Sequence, residues 1–166
     1  YIAWAQEVPG VVVVQVDDNQ PRGQGTVDVI ITGTAGLPSQ ALIDEVQARI
    51  NERKPLCTDV LVVAPTPVAV DITATVYVHP VYGDLAEIQA QAAGIIDQMF
   101  NYGVETPGII KASTEFGVPR AAIIGNLMTI EHVVNVALTA PAADVTVLPR
   151  ELPVKGLVTI TTQRVS

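Results

Sequence analysis

Residues 68–78 alternate without interruption: Val68, Val70, Ile72, Ala74, Val76 and Val78 fall on one side, Ala69, Asp71, Thr73, Thr75 and Tyr77 on the other. A period of two over this length is incompatible with a helix and predicts a long strand with one face in a core and one polar face. A single strand cannot satisfy its own backbone groups, so the chain must supply partners for it and an apolar layer to cover it. The covering layer is legible just downstream. Asp84 and Glu87 stand at capping-box spacing, and Leu85, Ile88, Ala92, Ile95, Ile96, Met99 and Phe100 form a helical apolar stripe ending near Gly103. An isolated helix of this length is marginal in water, so the stripe is expected to lie on the sheet.

The segment before this strand carries a second, smaller set of elements. Val11–Val16 is a β-branched run ending in Asp17-Asp18-Asn19-Gln20-Pro21-Arg22-Gly23, and residues 26–32 alternate, with Val27, Val29 and Ile31 opposite Thr26 and Asp28. The spacing predicts an antiparallel hairpin. Ser39 is placed to cap a helix in which Leu42, Ile43, Val46 and Ile50 face inward and Gln40, Glu45, Arg49 and Glu52 face water, ending before Pro55. Val60–Val63 reads as a short buried strand, and Ala64-Pro65-Thr66-Pro67 marks a boundary because neither proline donates a backbone hydrogen bond.

In the last third, Pro119 suits a first helical position before Ile123, Ile124, Leu127 and Met128, residues 133–139 have strand composition, residues 140–153 read as a proline-rich loop, and residues 157–162 alternate. The expectation is an α+β fold of two tandem subdomains with mixed or antiparallel sheets covered by helices. The first, residues 1–66, holds hairpin, helix and strand. The second, residues 67–166, holds the long strand, the long helix, a short helix and two strands.

Composition narrows function. A net charge of −8, from 9 Lys and Arg against 17 Asp and Glu, repels phosphate backbones and anionic lipid. No apolar stretch approaches the roughly 20 residues of a membrane span. The chain starts at Tyr1 with no visible leader, which reads as a fragment of a longer protein.

Candidate chemical groups are few. His79 precedes Pro80 at a strand end and His132 lies in a β-branched run, neither with a second ligand at metal spacing; Cys57 is the one cysteine, without a base nearby in sequence, and is expected to be small and packed. Gly23-Gln24-Gly25 and Gly33-Thr34-Ala35-Gly36 lack the dinucleotide fingerprint and the Walker lysine and read as turns. Asp17-Asp18-Asn19 departs from a calcium loop at Pro21 and Arg22 and reads as a solvated turn. Asp71, Thr73, Thr75 and Tyr77 share a strand face that suits a pocket, an exposed sheet side or a protein interface. No catalytic, cofactor-binding or metal residue is assigned.

The ordered series Trp4-Ala5, Val8-Pro9-Gly10-Val11, Gly23-Gln24-Gly25-Thr26-Val27-Asp28-Val29, Arg53-Lys54-Pro55-Leu56 and residues 60–65, followed by the alternating strand, resembles the baseplate J-like family of phage tail and contractile injection proteins. Ile130-Glu131-His132-Val133-Val134-Asn135-Val136 and Glu151-Leu152-Pro153-Val154-Lys155-Gly156 are similar to that family's later strand and closing segment. The resemblance implies a C-terminal portion of a baseplate wedge component, without cofactor or enzymatic activity. It also implies contacts with other wedge proteins and with copies of itself, in a virion tail or in the bacterial cytoplasm as a prophage or injection-machine component. The family's N-terminal portion is absent, so the fragment alone is expected to be a monomer or loose dimer. A small-molecule-binding regulatory module and a hydrolase accessory domain are the alternatives, the first distinguished by a ligand-dependent rise in melting temperature.

Overall fold

A computed structural model describes residues 1–166. The elements run α1 (Ile2–Gln6), β1 (Val11–Asp17), β2 (Thr26–Gly33), α2 (Gln40–Asn51), β3 (Asp59–Val63), β4 (Thr66–Val78), α3 (Leu85–Met99), α4 (Arg120–Met128), β5 (Val133–Ala140) and β6 (Glu151–Arg164). The chain is α+β, with two three-stranded sheets ordered β1-β2-β3 and β5-β4-β6. It divides into two compact units. Unit 1 is Tyr1–Thr66 with Tyr102–Val104, and unit 2 is Pro67–Asn101 with Glu105–Ser166. No helix is long and apolar enough to cross a membrane.

In unit 1, β1 and β2 form the antiparallel hairpin, with Val14 opposite Ile31 and Asp17 opposite Asp28. β3 pairs with the other edge of β2 in parallel, Val27 opposite Val60 and Val29 opposite Val62. Parallel pairing needs a crossover, and α2 provides it. Ser39 Oγ accepts the Leu42 N–H at 3.3 Å at the start of α2, while Val46 and Ile50 point into the core with Val29, Ile31, Val60 and Val62. β3 alternates, so Val60 and Val62 are buried but Leu61 is exposed, which corrects the expectation of a strand buried throughout. The short helix α1 was not foreseen, because five residues carry too little periodicity; Ala5 is buried against the same core. Glu7, just after α1, accepts from Arg49 at 2.9 Å and from Arg53 at 2.8 Å, joining the two helices of this unit.

In unit 2, β4 behaves as its alternation dictates: Val70, Ile72, Ala74, Val76 and Val78 are buried, and Ala69, Asp71 and Thr73 are exposed. β5 runs antiparallel to it, with Val76 opposite Val136. β6 flanks the other edge. Leu157 N–H meets the Asp71 carboxylate at its middle and Val165 N–H donates to the Val78 carbonyl at 3.0 Å just past its end, so β6 advances in the same direction as β4. α3 packs on β6 and α4 on β5. Asp84 caps α3 by accepting the Glu87 N–H at 3.1 Å, and Ile88, Ala92, Ile96 and Met99 are buried, the three large side chains contributing about 1.5–3 kcal/mol each. α3 ends at Met99, earlier than the Gly103 limit that its stripe suggested.

Three expectations are corrected here. Pro119 is the N-cap of α4 (ψ 139°), one residue before the first helical position, and the Arg120 N–H is taken by the Asp144 carboxylate at 2.8 Å. Residues 140–153 are not loop throughout: β6 begins at Glu151, and Leu152 and Pro153 are buried. A proline fits there because β6 is an edge strand, where one missing N–H need not break a ladder. Met128 is 41% exposed, whereas the buried polar residue Asn126 takes the inward position on α4.

Asn126 explains its own burial. Its Oδ1 accepts the Ile110 N–H and its Nδ2 donates to the Ile110 carbonyl, both at 2.8 Å, so one amide satisfies both backbone polar groups of a residue in the connection between α3 and α4. Asn126→Ala leaves those two groups without these partners and is expected to cost about 1–3 kcal/mol, read as a lower urea midpoint with unchanged slope.

Glu7 sets an acid response. The Arg53 hydrogen bond, with Arg49 adding to it against partial desolvation, holds the Glu7 carboxyl below its ordinary 4.5. A depressed folded-state value means that the contribution is full above 4.5 and is lost as pH falls through the lowered value. Glu7→Gln should therefore melt below wild type at neutral pH, and the gap should close on acidification through that range, as followed by thermal denaturation.

Candidate functional site

The side chains that could carry chemistry are dispersed. His79 is exposed at the end of β4, and its backbone N–H donates to the His132 carbonyl at 2.9 Å. His132 is not inside a strand: it sits in a left-handed turn (φ 69°) immediately before β5, with its ring stacked on Tyr82 at 4.2 Å between centroids. Cys57 is exposed, correcting the expectation of a packed thiol. The reason is local. The Thr58 N–H closes a turn onto the Pro55 carbonyl at 3.1 Å, which throws Leu56 and Cys57 outward at its two corners. No group of three or more His, Cys, Asp or Glu side chains is disposed to hold a metal.

What is built with care is the set of turns and faces that the molecule presents. At the β1–β2 turn, Gly23 (φ 120°) and Gly25 (φ 81°) adopt conformations that favour glycine, as their reading as turn residues requires. Arg22 holds this turn. Its Nε donates to Asp28 at 2.8 Å, its Nη1 to the Asp59 carboxylate, and its Nη2 to the Asp59 carbonyl at 3.2 Å. Both carboxylates raise the Arg22 guanidinium pKa, the Asp28 hydrogen bond most, and Asp28 itself is 3% exposed. The alternation placed Asp28 opposite the apolar face without showing that both faces of β2 are covered from that residue onward. The link from Arg22 to Asp59 spans 37 residues, so no local signal identifies it. A second turn, Gly33–Gly36, closes on itself through reciprocal backbone bonds of 2.8 and 3.1 Å and borders an open groove of about 440 Å³ with Pro9, Leu37 and Leu42.

The outer face of the second sheet is a second regular surface. Thr73 is exposed, Thr75 and Tyr77 are half-buried, and across the register Ala137 lies opposite Thr75 and Asn135 opposite Tyr77. On β6, Leu157 is 74% exposed. Asp71 does not project freely from this face, because its carboxylate takes the Leu157 N–H at 2.8 Å. Gly156 makes the approach possible: a Cβ there would lie 2.1 Å from Asp71 Oδ1.

Because Arg22 is a partner of the buried Asp28 carboxylate and ties two strands to the turn, its removal is expected to destabilise. Arg22→Ala should lower the denaturant midpoint, and Arg22→Lys should recover only part of the loss, since an ammonium cannot reproduce the fork of donors. Denaturant titration of the two variants checks both.

The comparisons with known proteins agree with this architecture. Residues 1–64 match the model of the baseplate J-like central domain. The fold is similar to that of a chain in the cryo-EM structure of the anti-feeding prophage (AFP) baseplate, 6-fold symmetrised, at a TM-score of 0.64 and 12% identity, over 92% of this chain and 35% of that one. The chain thus spans about a third of the length of the solved protein it matches. No curated protein matches it in sequence. The central-domain match ends where the first unit ends, and the fold shared with the baseplate chain continues through the second.

Proposed function

We propose that this chain is a C-terminal portion of a baseplate wedge protein and acts through protein–protein contacts with other wedge proteins and with copies of itself. The observation that supports this most directly is the fold likeness over 92% of the chain to a baseplate chain, joined to the family match over residues 1–64. Residues 1–66 and 67–166 act as two subdomains of that part. No side chain is assigned a catalytic, cofactor-binding or metal-binding role.

The physical case rests on what an injection baseplate demands. Its ring must hold through wide repeated contacts and still rearrange, which favours sheet faces, strand edges and loops over covalent links. This chain offers the outer face of β4, the connection between β5 and β6, and the glycine turns at Gly23 and Gly36. Contacts that are weak singly suffice, because neighbours already anchored in the ring raise the effective concentration. The site of action is then a virion tail, or the bacterial cytoplasm for a prophage or injection machine.

The expected behaviour of the isolated chain is that of a monomer or loose dimer at micromolar concentration, with fuller association only when the remainder of the wedge protein and its wedge partners are supplied. Sedimentation velocity with and without co-expressed wedge proteins tests it. A closed high-order ring formed by this chain alone, or failure of the full-length protein lacking this part to lose baseplate assembly, would overturn the proposal.

A further inference from the structure

We infer that the free edge of β6 is a strand-addition site, at which an extended segment of another protein pairs through its backbone and becomes the fourth strand of the β5-β4-β6 sheet. The inference deepens the wedge reading above and rests on it for the origin of that segment. β6 has β4 on one side and no strand on the other. Along a strand, the N–H and C=O of one residue point to one side and those of the next residue to the other. The Leu157 N–H meets Asp71 and the Val165 N–H meets the Val78 carbonyl, so the odd-numbered residues turn toward β4, and Val158, Ile160 and Thr162 turn away from it. Gln89 marks the outward direction: from α3 its Nε2 donates to the Ile160 carbonyl at 2.9 Å.

Two other edge strands show what a closed edge looks like. On β3, the Gln47 amide of α2 donates to the Val60 carbonyl at 2.9 Å and accepts the Val62 N–H at 2.8 Å, filling both kinds of site as a neighbouring strand would. On β5, Arg120 donates to the Leu138 carbonyl at 2.9 Å, and Asn135 Oδ1 accepts the Val136 N–H at 2.9 Å. On β6 the equivalent is the single Gln89 bond, made to a carbonyl, which leaves the outward N–H groups of Val158, Ile160 and Thr162 as donors in search of acceptors. Neither lysine nor proline interrupts residues 157–163, the usual means of blunting such an edge. The donors recur at every second residue, about 6.8 Å apart, which matches an extended chain and not a helix, whose own backbone groups are used internally. α3 leaves room beside the edge, since Ala86, Ala90 and Ala93, on the flank that carries Gln89 and Asp97, are small and exposed.

Charge decides between sources of the added strand. No Asp or Glu occurs from Leu152 to Ser166 in a chain of net charge −8, and two cations, Lys155 and Arg164, flank the uncharged run. Lys155 is met by Asp97, whereas Arg164 donates to the carbonyls of Tyr82 at 3.1 Å and Gly83 at 2.9 Å. β6 of a second copy, laid antiparallel about a two-fold axis at Ile160, would set Arg164 beside Gly156 and Lys155 of the other copy at both ends of the contact. Like charges across a strand pair are destabilising. A segment of a different protein, β-branched at its centre and carrying a carboxylate beside Arg164, avoids that repulsion and gains an opposite-charge pair.

The test is amide hydrogen exchange resolved to single residues of β6, in this chain alone and in its complex with co-expressed wedge proteins. Alone, Val158, Ile160 and Thr162 should exchange at least about tenfold faster than Thr159 and Thr161, whose N–H groups face β4, and in the complex the three should slow by more than about tenfold. Val158→Pro and Thr162→Pro each delete one outward N–H and none that faces β4, so either should weaken the complex more than about tenfold while the sheet is retained. Where a proline variant fails to fold, exchange in the wild type decides. A complex in which the three amides still exchange freely, or one indifferent to a folded proline variant, overturns the inference. So does their protection in the chain alone at high micromolar concentration, which assigns the edge to a second copy. If the chain binds no wedge protein, the wedge reading fails, and the edge is judged with a synthetic Thr-Val-Thr-Val-Thr-Asp peptide at millimolar concentration: protection of the three amides upholds strand addition, and free exchange overturns it.

Discussion

β2 and β4 each lie between two other strands, and the rest of the structure is arranged to make that possible. A strand with a buried face has backbone donors and acceptors along both edges that water cannot reach freely, so each edge needs a neighbour. β2 obtains one from the hairpin with β1 and the other from β3, brought round in parallel by α2. β4 obtains one from β5, antiparallel, and the other from β6, the last strand of the chain. The two units reach the same arrangement by different connections, and in both the helices are the means of covering the apolar face that the pairing creates.

Once the sheets are paired, the irregular segments are held by single polar side chains with several partners. Arg22 ties the β1–β2 turn to Asp28 and Asp59, Asn126 clamps Ile110, and Arg120 donates to the Leu138 carbonyl at 2.9 Å while its own N–H meets Asp144. These are planar groups with divergent donors or paired donor and acceptor, suited to fixing a backbone at two points at once. For the proposed contact role, ordering such loops in advance removes that entropic cost from binding.

Charge is distributed in the same spirit. Exposed carboxylates such as Glu45 on α2 and Glu87 on α3 cost little in water, while at the second sheet Asp71 is engaged by the Leu157 N–H and Lys155 by Asp97.

The elements that the amino-acid order determined by itself are those with a local cause. The alternation of residues 68–78, the stripe on α3, the caps Ser39 and Asp84 and the hairpin of β1 and β2 are all readable, because periodicity and capping act within a few residues. The resemblance to the baseplate J-like family was readable for another reason, as an ordered series of short motifs spread along the chain. The tertiary structure alone decided the rest. The parallel course of β3 and β6, the burial of Asp28, the entry of Leu152 and Pro153 into β6 and the exposure of Cys57 depend on which segments meet in space. The partners of Arg22 and Asp71 lie 37 and 86 residues away, and no window of sequence contains both ends of such a contact.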